Sequence, residues 1–273
     1  MVCTVEILSV GTELLIGKIA NTNAQWMAGK VTSLSGNVKR IINVGDNLED
    51  ISTAVEDSFS RNPTLLIVTG GLGPTFDDMT LQGLARALKV PLRLDPEAEA
   101  MIRERYVRYE KEMGHKIDLT PERLKMATLP EGGRPVRNPV GTAPGVLLHH
   151  RSTTIIALPG VPKEMMAIFE ESVETIMKKA VGSLYFYAKS VNVFGIIESD
   201  LAPWIEETMR ENPKIYIKSH PKAPEPSPLI ELHLSTTSPT LETAKEDVDR
   251  AVTKISGMIL DHKGNVQEIP GQQ

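Results

Sequence analysis

Several things are scarce in this sequence, and each scarcity excludes a class. Of 273 residues one is cysteine, Cys3, so no disulfide forms within the chain, and none of the six histidines stands in the Cys/His spacing of a zinc site. No apolar run is long enough to span a bilayer. The opening stretch to Val10 is short, carries Glu6 and meets Gly11, unlike a signal peptide. A cytoplasmic protein with no membrane partner is therefore expected. Positive charge is in deficit as well: the net charge is −5 and the pI near 5.8, which argues against nucleic acid held by bulk electrostatics. No Ser/His/Asp or Cys/His pattern for a nucleophile can be assembled. His149 and His150 are adjacent in a predicted strand, so their rings face opposite ways and cannot share a metal.

What remains is ordinary globular material, 41% hydrophobic and 24% charged, enough for one large domain or two unequal ones. Val5–Val10 and Leu65–Thr69 are short apolar runs that fit buried strands, and Val38–Val44 reads as a third. Between them, Ala24, Met27, Val31 and Leu34, then Leu48, Ile51, Val55 and Phe59, recur at helical spacing. A further helix is predicted from near Asp78, burying Leu81, Leu84, Ala85 and Leu88. This β-α-β-α-β-α order implies a parallel sheet covered by helices on both faces. Two helices separated near Gly114 are expected over 95–125, with the charges of Arg103–Lys111 read as a solvated face. An irregular stretch over 129–145, a hairpin of Val146–His149 with Thr154–Leu158, and one helix from Pro162 to Ala180 complete a first domain, 1–180. A second, 185–264, reads β-α-β-β-α: strand Tyr185–Val193, helix Glu198–Arg210, strands Lys214–Lys218 and Leu229–Leu234 around the loop Pro221–Pro228, and helix Leu241–Gly257.

The sharpest chemical signal is Gly70-Gly71-Leu72-Gly73-Pro74-Thr75-Phe76-Asp77-Asp78, directly after the strand Leu65–Thr69. Glycines there let the backbone turn and present N–H groups to phosphate oxygens, beyond the carboxyl end of a parallel strand where such sheets bind ligands. The loop lacks both the Lys-Ser/Thr ending of a P-loop and dinucleotide-fingerprint spacing. Two carboxylates beside a phosphate repel it unless a cation bridges them or they bond a hydroxyl or amine. The plainer reading is a turn with Asp78 capping the next helix. Gly11-Thr12-Glu13 and Gly45-Asp46-Asn47 leave strands on the same edge. Thr22 is expected as a plain helix cap, and Asp46 either caps its helix or reaches the ligand. The uncharged stretch Asn138–Gly145 reads as a rigid loop offering backbone groups and the Thr142 hydroxyl. Pro159-Gly160-Val161-Pro162-Lys163-Glu164 repeats the strand-to-helix logic, with Lys163 placed to approach an anion.

Taken in order over about 160 residues, these motifs resemble the competence-damage-inducible (CinA) family, specifically its N-terminal domain, which is similar to the molybdopterin-binding domains of MoaB, MogA and MoeA. Phe194–Ser199 and Glu231–Leu234 resemble that family's KH-like middle domain. The resemblance implies an α/β fold: a three-layer molybdopterin-binding-like domain with a mostly parallel sheet, plus a small α+β KH-like domain. It further implies hydrolysis of the pyrophosphate in ADP-ribose or an FAD-like dinucleotide with a divalent metal, Mg2+ or Co2+, or, alternatively, pterin or nucleotide binding without turnover in molybdenum cofactor handling. On that basis Asp46, Asp77 and Asp78 are the candidate catalytic acids, with Asp46 and Asp78 the candidate metal ligands. Which carboxylate holds the ion and which acts as base is left open. The candidate ligand-binding residues are Gly11, Thr12, Glu13, Asn23, Gly70, Gly71, Leu72, Gly73, Thr75, Asn138, Gly141, Thr142, Ala143, Pro159 and Gly160. A homodimer is expected. The chain stops at Gln273, so the deamidating C-terminal domain of many CinA proteins is not expected, and the KH-like part lacks the Gly-x-x-Gly clamp that grips nucleic acid.

Overall fold

Leu65–Thr69, five residues without a charge or a turn former, is buried along its whole length at the middle of the main sheet. The computed structural model describes residues 3–223 and 228–269, and the chain divides between Val181 and Gly182 into two compact units. In chain order the first unit holds β1 (Thr4–Val10), α1 (Thr12–Leu15), α2 (Thr22–Ser33), β2 (Asn37–Val44), α3 (Leu48–Arg61), β3 (Leu65–Thr69), α4 (Thr80–Leu88) and β4 (Leu92–Leu94). It continues with α5 (Pro96–Met113), α6 (Pro121–Lys125), β5 (Thr128–Pro130), β6 (Arg134–Val136), β7 (Gly145–His150), β8 (Thr153–Leu158), α7 (Pro162–Ile168) and α8 (Glu174–Val181).

The main sheet runs β2-β1-β3-β8-β7-β6. Its first four strands are parallel, and β7 and β6 return antiparallel; β4 and β5 make a separate two-stranded ribbon. The expected mixed α/β architecture with a largely parallel sheet is thus present. Side chains alternate across a strand. Leu8, Leu66 and Val68 therefore pack with Ile51, Val55 and Leu84 on one face, while Ile7 and Ile67 are fully buried on the other. Four parallel strands ending together put the loops after Val10, Val44, Thr69 and Leu158 on one edge of the sheet.

Several boundaries depart from the expectations. The stretch called irregular contains β6, three residues long and broken by Pro135, which lets it pair only at the sheet's end. The single helix over 162–180 is interrupted by a π-helical turn at Phe169–Val173, where buried Phe169 meets Trp26 edge-on at 5.3 Å. Asn21, not Thr22, caps α2, accepting from the Ala24 N–H. α4 begins at Thr80 with no side-chain cap, so Asp78 does not play that part. At the opposite ends of the strands, Glu6 is buried and takes two hydrogen bonds from Arg61, from Nε and Nη2, each at 2.7 Å. His150 stacks on Phe59 at 4.2 Å, and His149 contacts Thr154.

The second unit holds β9 (Tyr185–Phe194), α9 (Glu198–Glu211), β10 (Tyr216–Ala223), β11 (Leu229–Ser238), α10 (Leu241–Asp261) and β12 (Asn265–Glu268). Its sheet runs β10-β11-β9-β12, antiparallel throughout. Leu201, Ile205, Val248 and Ile255 of the helices cover Val191 and Leu232 of the strands. The strand expected over Lys214–Lys218 starts two residues later and runs through Pro221, which an edge strand tolerates because one side of it needs no donors. β12 was not expected. Residues 224–227 of the proline-rich loop lie outside the described residues. No helix among the described residues is long and apolar enough to cross a membrane.

Candidate ligand-binding site

The glycine loop is sewn into the sheet before it reaches the edge. The Gly70 N–H donates to Leu158 O at 3.0 Å, the buried Thr69 hydroxyl donates to Pro159 O at 3.0 Å, and the buried Thr80 hydroxyl donates to Gly70 O at 2.7 Å. Gly70 takes φ +99°, and a Cβ there would lie 2.2 Å from the Val10 carbonyl oxygen, so no other residue fits this crossing without moving backbone. Beyond it, the N–H groups of Gly71, Leu72 and Gly73 find no acceptor among the described residues. Three consecutive unengaged donors at the carboxyl edge of a parallel sheet are suited to an anion.

The acids of the loop are folded back upon it. Asp78 Oδ2 accepts from the Thr75 N–H at 2.8 Å and lies 2.6 Å from the Thr75 hydroxyl, which also lies 2.5 Å from Asp77 Oδ1. One hydroxyl proton serves one of these carboxylates at a time. The hydrogen bond from Thr75, helped by the N–H of Asp77 itself and the charge of Lys125, holds Asp77 below the usual carboxylate range. Lys125 also donates to the Thr75 carbonyl. Phe76, at the tip between them, is 92% exposed.

The expected site residues spread over several cavities: Asn138 and Gly141 line one, Gly71, Leu72, Gly73 and Asp78 border another with Leu92 and Leu124, and two more lie along the glycine loop and Gly160. The larger, about 420 Å³, is lined by Gly71, Leu72, Gly73 and Asp78, by Thr142 and Ala143, and by Pro159 and Gly160. The smaller, about 120 Å³, holds Glu13, Asn23 and Gly70, and shares Gly160 with the larger. Asn23 donates to Gly160 O at 2.8 Å, and its buried Oδ1 has no partner in the protein. Gly11, Thr12, Thr75, Asp46 and Asp77 line neither cavity. Gly11 and Thr12 have structural duties instead: Gly11 donates to Val44 O, and the Thr12 N–H donates to Asp46 Oδ2 at 2.7 Å while the Asp46 N–H donates back to Thr12 Oγ1 at 3.3 Å. Asp46 therefore neither caps α3, which Asn47 does, nor shares a cavity lining with Asp78.

Asn138 shapes the loop that carries Thr142 and Ala143 to the larger cavity. Its amide donates to Ala143 O at 2.8 Å and Glu164 Oε2 at 2.7 Å, and its oxygen accepts from the Val140 and Gly141 N–H groups. Gly141 lies against the Glu164 carboxylate, 2.0 Å from where its Cβ would stand. Tyr106 and Tyr109 from α5, outside every sequence motif, and Glu164 from α7, the end of the Pro159–Glu164 motif, complete the larger cavity. Tyr106 and Tyr109 sit three apart on the helix whose charges were read as merely solvated. Their signal was the pair of aromatics at one-turn spacing in a chain with few of them. Glu164, not its neighbour Lys163, is the α7 residue at the site.

For a divalent ion the fit is partial. Among the described residues no three His, Cys, Asp or Glu side chains gather closely enough to hold one, and Asp46 and Asp78 line no common cavity. Asp78 Oδ1 and Glu164 Oε1 are carboxylate oxygens of residues lining the larger cavity that are not engaged by Thr75 or Asn138.

Residues 6–179 match the family model described as a probable molybdopterin binding domain. A curated protein of Pyrobaculum calidifontis is 43% identical over 257 residues, 94% of this chain and 95% of its own. The crystal structure of the protein CinA, of unknown function, from Thermoplasma acidophilum is similar at a TM-score of 0.58 and 40% identity, covering 64% of this chain and 98% of that one. The tungsten cofactor synthesizing protein MoaB of Pyrococcus furiosus aligns at a TM-score of 0.42 and 13% identity over 66% of this chain and 98% of its own.

Proposed function

Because the chain belongs to the family of probable molybdopterin-binding domains, we propose that the larger cavity takes a phosphate-bearing pterin or nucleotide. The observation that carries this reading is the row of unengaged N–H groups at Gly71, Leu72 and Gly73 in a cavity that also presents Tyr106 and Tyr109. The donors suit phosphate oxygens and the aromatic faces suit a heterocyclic ring. Asp78 and Glu164 supply acceptors for ring or ribose N–H and O–H groups.

A second reading, hydrolysis of a pyrophosphate in an ADP-ribose-like or FAD-like dinucleotide, is favoured by the two carboxylates that end the glycine loop. Mg2+ is commonly held by one or two carboxylates together with substrate phosphates, so a cation carried in on the pyrophosphate needs only Asp78 from the chain. When bound, such an ion would supply neutralisation of phosphate charge and acidification of a water. The glycine N–H groups hold the phosphate oxygens, and a carboxylate of the cavity wall, Asp78 or Glu164, is available to accept a proton from the attacking water. We read the second unit as KH-like and dimerising, with no Gly-x-x-Gly clamp for RNA.

The test is incubation of the full chain with ADP-ribose, NAD and FAD, with and without Mg2+ or Co2+, alongside calorimetry with AMP and a molybdopterin analogue. AMP release that disappears in Asp78→Ala supports hydrolysis. Saturable binding with no AMP supports a binding protein. Absence of both sinks the assignment of the cavity.

A further inference from the structure

A cavity of about 350 Å³ next to the ligand site is lined by three arginines, Arg105, Arg108 and Arg137, in a chain whose net charge is −5. α5 contributes to both cavities from adjacent stripes, Arg105 and Arg108 to this one and Tyr106 and Tyr109 to the other, and Thr142 lines both. Two of the three guanidinium groups, those of Arg108 and Arg137, are not consumed by the fold. Arg137 is exposed and has no ion pair or hydrogen bond among the described residues. Arg105 donates one Nη2 hydrogen bond to Val140 O and lies over the Tyr109 ring at 4.7 Å, while its Nε is buried without an acceptor. Arg108 pairs with Glu104, the one carboxylate of the cavity, in an exposed contact one helical turn away. An exposed pair of that kind contributes little and is readily exchanged.

Three guanidinium groups facing one carboxylate, around an opening of this size, match phosphate rather than a neutral group, since the planar fork bonds two phosphate oxygens at once. We propose that this cavity is a second anionic subsite, taking a further phosphate or pyrophosphate group of the ligand whose first phosphate lies on the Gly71–Gly73 donors. The proposal rests on the reading of the larger cavity as a ligand pocket. It narrows the ligand class to compounds carrying a second anionic group besides the phosphate on the Gly71–Gly73 donors. Arg105 ties the subsite to the main pocket, because the same side chain supports the 138–145 loop and packs on Tyr109.

The experiment is calorimetry of the full chain at low salt with inorganic pyrophosphate and, separately, with AMP and a pterin monophosphate. The double variant Arg108→Ala/Arg137→Ala removes two exposed side chains and leaves Arg105 to hold the loop. Pyrophosphate affinity is expected to fall by about tenfold or more in the variant, to recover partly in Arg108→Lys/Arg137→Lys, and to weaken with added salt in the wild type. Binding of the single-phosphate compounds, compared at about 0.15 M salt where the Debye length is about 8 Å, is expected to stay within about twofold, because Arg108 and Arg137 do not line the larger cavity. Unchanged pyrophosphate affinity in the double variant, with AMP or the pterin still binding, overturns the subsite alone. Arginine-dependent pyrophosphate binding in a protein that binds neither single-phosphate compound overturns the shared-ligand claim and the pocket reading with it.

Discussion

Asn138 donates to the carboxylate of Glu164 at 2.7 Å across 26 residues of chain, and that carboxylate occupies the space a side chain on Gly141 would need. The 138–145 loop and the start of α7 are thereby locked together where they wall the ligand cavity.

Gly141→Ala is expected to displace Glu164 and break its bond to Asn138. The colliding group is the far end of a flexible side chain, so the cost to folding is small, about 1 kcal/mol or less. The cost to the pocket is larger. Ligand affinity is expected to fall by about tenfold, one good hydrogen-bonding position lost. Thermal unfolding and ligand titration on the same preparation check both halves, and a large loss of stability with binding intact contradicts the expectation.

Gly70→Ala meets an obstacle of another kind. Its Cβ collides with the Val10 carbonyl oxygen, and the backbone is held at positive φ by bonds on both sides. A loss of about 3 kcal/mol or more is expected from steric strain at this conformation. Thr80→Val, which keeps the shape but leaves Gly70 O unsatisfied, is expected to cost about 1–3 kcal/mol. Urea unfolding midpoints check the order of the two; Thr80→Val being the worse reverses the argument.

The Glu6–Arg61 pair sets part of the acid limit. Burial pushes the Glu6 carboxyl up, but the two hydrogen bonds and the charge of Arg61 outweigh it and hold the group below the ordinary range. A depressed carboxylate stabilises the fold fully above its unfolded pKa, about 4.3, and that stability is lost as pH falls through the lower folded value. Glu6→Gln is expected to lose about 1–3 kcal/mol at pH 7 by leaving Arg61 without its charge partner. The gap from wild type should close as pH falls from 5 toward 2. Denaturant midpoints across that range decide it, and a gap that widens on acidification refutes the sign.

Much of the frame was legible because it is local. Alternation and helical spacing identified Leu65–Thr69 and the apolar faces of α2 and α3, since burying one face is a property of ten or fifteen neighbouring residues. The glycine loop was legible for the same reason: a backbone that must cross Val10 at positive φ admits only glycine at Gly70. β6 and β12 were not, being three and four residues long and held by their partners rather than by pattern. Among the site residues, Asp46 stood in the sequence between capping α3 and reaching the ligand; it does not cap α3 and is bonded to Thr12 instead. Lys163 looked suited to an anion, while Glu164 beside it lines the cavity.

The sequence by itself determined that a phosphate-sized turn follows a buried parallel strand, that acids end that turn, and that a second unit follows the first. Tertiary structure alone decided which loops meet. The order β2-β1-β3-β8 brings segments from residues 11 to 164 to one edge, and the path of α5 carries Tyr106 and Tyr109 to the same place. The physical reason is range. Strand and turn propensities act over a few bonds, whereas the Asn23–Gly160 contact spans 137 residues and exists only once the sheet has assembled. The acids after Gly73 thus begin in the sequence as an isolated pair and are parted in the fold, Asp78 lining a pocket with Tyr106 and Tyr109 while Asp77 turns back on Thr75.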